Sequence, residues 1–144
     1  MRVPRNAKRS VASPRRAITP SVRGQSLVEL ALTLPLLMIL MAGVLDLAHA
    51  FSLAGILSNA AREGARYGTT DATNTDAIKS RVLEEAAGAP LTIDPSQVVV
   101  NTASGTTSGN AITVEVTHDV DLLLAQALGL PRPTIRRQAT MVIF

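Results

Sequence analysis

Between Arg23 and Asp46 the chain carries a single ionisable side chain, Glu29, and from Leu30 to Leu45 it runs for 16 residues without a charge. Wound as an α-helix, that run is about 24 Å long. It falls short of a hydrocarbon core of about 30 Å, and reaches it when the helix continues through Asp46 and His49 to Leu57. The stretch is therefore expected to cross a lipid bilayer. A carboxylate in such a setting costs roughly 2.5–3.5 kcal/mol at the helix centre. Glu29 needs a compensating partner, because a buried charge is tolerable only when paired. It reads as a functional residue on physical grounds alone.

The charge distribution sets the orientation. Residues 1–23 hold 7 of the 14 basic residues and no acid, leaving 7 basic against 11 acidic residues after Gly24, a formal −4. The high isoelectric point thus belongs to the N-terminal segment, and a nucleic-acid-binding role for the whole chain is excluded on that ground. Cationic residues ahead of an apolar run place the N-terminus in the cytoplasm and the C-terminal part outside it. The three aromatics, Phe51, Tyr67 and Phe144, offer no stacking platform for bases. With no cysteine there is no disulfide, thiolate metal site or cysteine nucleophile.

Residues 1–22, with Pro4, Pro14 and Pro20 among Arg, Ser and Ala, read as a disordered basic leader, or as a polybasic patch on anionic lipid. A continuous helix is expected from about Gln25, capped by Gln25 or Ser26. Pro35 lies inside it, removing one backbone hydrogen bond and crowding the carbonyl of Ala31, so a kink is expected, with Thr33 partly satisfying the freed groups. Asp46 and His49 form an i, i+3 pair with three open readings: a place at the outer interface, pairing with a partner helix, or proton chemistry.

From Phe51 to Gly68 the helix changes character. Ala60, Gly64 and Gly68 recur every four residues, as do Ala61 and Ala65, giving a smooth stripe that allows close backbone approach. Arg62 and Arg66 repeat at i, i+4 with Glu63 nearby. Each glycine costs an exposed helix about 1 kcal/mol, so Gly64 should recover it through packing. Packing on a sheet and contact with another subunit both meet that demand.

Two residue patterns carry a resemblance. Gly24, four residues, then Glu29 at the head of an apolar helix resembles the processing site of type IV prepilins and pseudopilins. The segment Ala61-Arg62-Glu63-Gly64-Ala65-Arg66-Tyr67, together with Leu34-Pro35-Leu36, looks like the TadE-like family, whose members are pseudopilins of tight-adherence (Tad/Flp) pilus systems. The resemblance covers about residues 23–68. It implies cleavage of the Gly24–Gln25 bond by a prepilin peptidase on the cytoplasmic side. It also implies that Glu29 pairs with the N-terminal amine of a subunit during assembly. Glu29, Pro35, Gly64, Arg62 and Arg66 are the expected subunit or packing contacts. Partners are then the peptidase, other pilin-like subunits with their assembly machinery, and the bilayer, in a single-pass protein of the inner membrane.

The remainder reads as an α+β head at 69–144, following a leader at 1–24 and the long helix at 25–68. Thr75 to Ala87 is a short amphipathic helix, capped by Asn74 or Thr75 and stopped by Gly88 and Pro90. Val98-Val99-Val100 and the alternating Ala111 to Thr117 are strands, with Ile112, Val114 and Val116 on one face. Val120 to Leu128 is a short helix or an apolar excursion across the sheet. Thr134 to Phe144 is a further strand with Ile135, Ala139, Met141 and Ile143 inward. The expected fold is a small antiparallel sheet of three to four strands against the outer half of the long helix, a pilin-like arrangement.

No residue pattern marks an enzyme or a cofactor site. His118, Asp119 and Asp121 lack further ligands at metal spacing and read as a solvated turn at a strand end. A competing function is an ordinary secreted or surface domain, released by a conventional signal peptidase after Ala48-His49-Ala50. Glu29, the long basic segment and the unbroken apolar run stand against it.

Overall fold

The computed structural model describes residues 22–102 and 105–144. The basic leader lies outside the described residues except for its last positions. Contacts divide the chain into two compact units, Met1–Pro35 and Leu36–Phe144.

Helix α1 spans Val22–Gly68 and contains Pro35. It is already helical at Val22, so Gln25 and Ser26 lie inside it rather than capping it. Gly24 weakens this turn by about 1 kcal/mol, which is too little to end a helix with apolar sequence behind it. In the first unit every side chain from Gly24 to Pro35 is exposed. The Thr33 hydroxyl donates to the carbonyls of Glu29 and Leu30, at 2.9 and 3.3 Å. It does not reach Ala31, because a helical threonine folds back three or four residues and Ala31 is only two away.

In the second unit the order is the outer part of α1, then α2 (Thr75–Ala86), a 3-10 turn (Pro95–Gln97), β1 (Val98–Asn101), β2 (Ala111–Asp119), α3 (Leu123–Ala127) and β3 (Thr134–Val142). The sheet is antiparallel in the order β1-β2-β3. This is the α+β fold expected, with three strands.

Local chemistry explains each element. Asn74 caps α2 by accepting from the amide of Ala77. Asp94 and Gln97 form a reciprocal capping box around the 3-10 turn. β2 alternates, with Ile112, Val114 and Val116 fully buried. Its end extends beyond the expected Thr117 to Asp119. His118 and Asp119 are strand residues paired with Ile135 and Thr134, not a turn. The extra pairs come from β3, so β2's own sequence could not announce them. On β3 the inward set Ile135, Ala139 and Met141 is interrupted by Arg137, which sits opposite Val116 and is exposed. A charge at an inward position of an edge strand discourages pairing with a further strand.

The core lies between the sheet, α2 and one face of α1. Leu53, Leu57, Ala60, Ala61 and Ala65 are buried at helical spacing. A Cβ added at Gly64 would collide with Cγ2 of Val82 on α2 and lie 3.3 Å from Cγ1 of Val114 on β2. At Gly68 it would collide with Cδ1 of Ile112. The guanidinium of Arg81 stands 5.5 Å over the Tyr67 ring, a further tie between α1 and α2. The amide of Phe144 donates to the carbonyl of Thr69, tying the end of the chain to the end of α1.

The glycines can be ranked by mobility of what they meet. Val82 is β-branched and in a helix, so its methyl cannot rotate away. The Ile112 methyl is the far end of a longer chain and can. Gly64→Ala is expected to destabilise the head by about 1–3 kcal/mol, and Gly68→Ala by less. Gly55, with no atom near its missing Cβ, should gain up to about 1 kcal/mol on mutation to Ala. Denaturant unfolding of the three variants in detergent checks the order; a Gly64→Ala protein as stable as Gly55→Ala would refute the packing account.

Candidate functional site

In the first unit the residues of interest share one turn and a half of α1. Gly24 and Gln25 are exposed in its opening turn. The Gln25 carboxamide donates to Oε1 of Glu29 at 3.3 Å, a long bond. Among the described residues Glu29 has no ion-pair partner, and it is exposed. A carboxylate has about four acceptor positions, so among the described residues most of its capacity is unused. Pro35, six residues beyond Glu29, is also exposed.

The rest of the expected residues lie in the second unit. Gly64 is buried against Val82 and Val114, in the core of the head. Arg62 is exposed, with no ion pair among the described residues. Arg66 is exposed and bound to Glu63, with contacts at 2.6 and 2.8 Å. Such a pair on the surface contributes at most about 1 kcal/mol. The small stripe and the arginines therefore sit on different faces: one is consumed by packing, the other is open.

Asp46 and His49 do not act together. His49 is exposed, whereas Asp46 is 8% exposed. The Asp46 carboxylate accepts the amides of Leu123 and Leu124, both at 2.8 Å, one to each oxygen. These are amides of the first turn of α3, which are orphaned in any helix. Asp46 thus caps α3 from 77 residues away. Of the two readings of Val120 to Leu128, the short helix is the one observed, and no excursion crosses the sheet. It is a helix fastened to α1, with Leu124 Cδ1 at 3.3 Å from where a Gly43 Cβ would stand. One signal for this was in the sequence: the N-cap of α3 is Leu122, which offers no capping side chain.

Flanking α3 in the chain, His118, Asp119, Asp121 and Arg132 help to line an open polar cleft of about 690 Å³. Asp121 is paired with Arg132 at 2.7 Å, and Asp119 accepts from the Thr134 hydroxyl. Both carboxylates are engaged. Among the described residues no group of three potential ligands converges on one point.

Removing the carboxylate of Asp46 should therefore loosen α3 selectively. In Asp46→Ala the exchange of the Leu123 and Leu124 amides is expected to quicken by roughly fivefold, the equivalent of a lost cap worth about 1 kcal/mol, while the β2 amides stay protected. Asp46→Asn, which keeps one acceptor oxygen, should fall between. Hydrogen exchange resolved by residue reads this directly; unchanged exchange at Leu123 and Leu124 would refute the cap.

Residues 24–66 match the family model described as TadE-like protein. No curated protein and no solved structure matches the chain. The match begins at Gly24 and ends two residues before the end of α1. A TadE-like segment carrying an apolar helix that is long enough to cross a membrane points to a pilin-like protein related to Tad pili, anchored in a membrane.

Proposed function

We propose that this chain is a membrane-anchored pseudopilin that takes part in assembling a Tad-type pilus. A prepilin peptidase removes the basic leader by cutting the Gly24–Gln25 bond. The helix then anchors the protein in the inner membrane with the head outside the cytoplasm. The observation that carries this reading is the start of the family match at Gly24, on the glycine that stands five residues before Glu29.

The geometry supports each step. The scissile bond lies in the first described turn of α1, and a peptidase must straighten that turn. Glycine lowers the cost of unwinding it and lets the cleft close on bare backbone. Cleavage creates an amine at Gln25, four residues before Glu29. Glu29 has unused acceptor capacity and accepts a cation from an incoming subunit. Arg62, exposed and unpaired among the described residues, offers a second contact beyond the membrane. A conventional signal peptidase acting after Ala50 would instead cut α1 three residues before Leu53, where its buried face begins.

N-terminal sequencing of the membrane-extracted protein is expected to begin at Gln25. A first residue of Phe51 would overturn the pseudopilin reading in favour of a secreted domain. Glu29→Gln separates docking from a merely interfacial carboxylate. Leader removal should be normal while pilus formation fails, since stranding one charge of a desolvated pair costs roughly 3–5 kcal/mol. Normal piliation in that strain would remove Glu29 from the assembly step. A reporter active only in the cytoplasm, fused after Phe144, should be silent.

A further inference from the structure

Ten residues of the head, Leu122 to Pro131, contain five leucines and no charge. Leu123, Leu128 and Leu130 are 60%, 69% and 57% exposed. A leucine cluster facing water is unusual for a small domain unless something covers it. The position of the cluster identifies the cover. It is fastened to α1 at Gly43 and Asp46, and Leu36 to Leu47 of that helix is itself largely exposed and apolar. The two surfaces meet across a shallow groove of about 350 Å³ lined by Gly43, Leu47, Leu124 and Leu128. The leucines of α3 therefore continue the apolar surface of the candidate membrane span, at its outer end.

The hydrogen bonding of α3 fits the same surroundings. Its first amides go to Asp46. Its last turn closes on itself: the Leu130 amide donates to Ala125, the Gly129 amide to Gln126, and Gly129 adopts φ +66°. That is the glycine-closed helix end in which orphan carbonyls are satisfied internally. A five-residue helix in water has no need of capping at both ends, because water serves. Where water is scarce each unsatisfied group is costly. Charged residues stand only at the two flanks, Asp121 and Arg132, which pair with each other.

We propose that Leu122–Leu130 is an interfacial membrane contact. It lies in the outer leaflet beside α1, inserting Leu123, Leu128 and Leu130 among acyl chains, and so fixes the height of the head above the bilayer. The proposal rests on the reading of α1 as a membrane span.

The absence of cysteine permits single labels. The full chain is reconstituted in phosphatidylcholine–phosphatidylglycerol vesicles carrying lipids brominated at a shallow or a deep chain position. A fluorophore is placed at Leu128→Cys, at Leu37→Cys in the span, or at Ser80→Cys on the exposed side of α2. Labels at Leu37 and Leu128 should lose most of their emission, the first to deep and the second to shallow bromines, and the label at Ser80 should lose none. Quenching at Leu37 without quenching at Leu128 overturns the interfacial contact and leaves the membrane span standing. No quenching at Leu37 overturns the span, and the contact with it. A label at Leu128 that is shielded from aqueous iodide yet untouched by bromolipid marks a protein partner on this surface, and also overturns the proposal.

Discussion

A three-stranded sheet cannot enclose a core alone, and the second layer here is a helix face built from alanine and glycine. Ala60, Ala61, Gly64, Ala65 and Gly68 supply almost no side-chain volume. What they supply is access: the backbone of α1 comes close enough for Val82, Val114, Ile78 and Ile112 to fill the space themselves. Helix and head divide the work, one giving shape and the other bulk. Leu57 and Leu53, about one and two turns before Ala60, are large side chains of α1 buried in the core, and Ile56 and Tyr67 pack against it from partly buried positions. The remaining apolar residues of the helix, up to Leu47, face outward. The same helix is thus written for two surroundings, and the change of residue size near Leu57 marks the boundary.

The two acids in the apolar part of α1 show the two ways a carboxylate can be kept there. Asp46 is short, so its oxygens stay near the helix, and the amides of α3 are brought to it. Backbone donors held by a helix are rigid and lose little freedom on bonding, which makes the match stable without any cation. Glu29 is one carbon longer and, among the described residues, accepts from the Gln25 carboxamide at 3.3 Å. Asp46 is therefore a structural acid, fixed by the amides of α3.

What the sequence disclosed follows from how local each signal was. The alternation of β2, the amphipathic α2 with Asn74 ahead of it, and the small stripe on α1 are patterns within one element, and the structure contains each of them. The features that escaped depend on distant chain. The cap on α3 joins residues 77 apart. The last two residues of β2 are strand because β3 lies beside them. Asp46 looked like a partner of His49 because both are polar in an apolar run, but spacing along a helix says nothing about what a second helix brings. Among the candidate site residues, the place of Gly64 followed from the need to repay a helical glycine. The separate faces of the small stripe and the arginines followed likewise from the i, i+4 spacing of each set.

The family match covers 24–66 and leaves the head outside it, which agrees with how physical constraint is spread along the chain. In α1 particular residues are required: no Cβ fits at Gly64, and a charge in an apolar helix has few substitutes. In the sheet only a pattern is required, since any β-branched or aliphatic residue of similar volume can hold an inward position. A sequence comparison finds identities more readily than patterns. Asp46 lies inside the matched segment and its two partners outside it; being backbone amides, they can be supplied by any residue except proline. A backbone amide is the one donor a head can change its whole sequence around and still present. That makes the carboxylate at position 46 an attachment point that constrains the path of the head's chain while leaving its side chains free to differ.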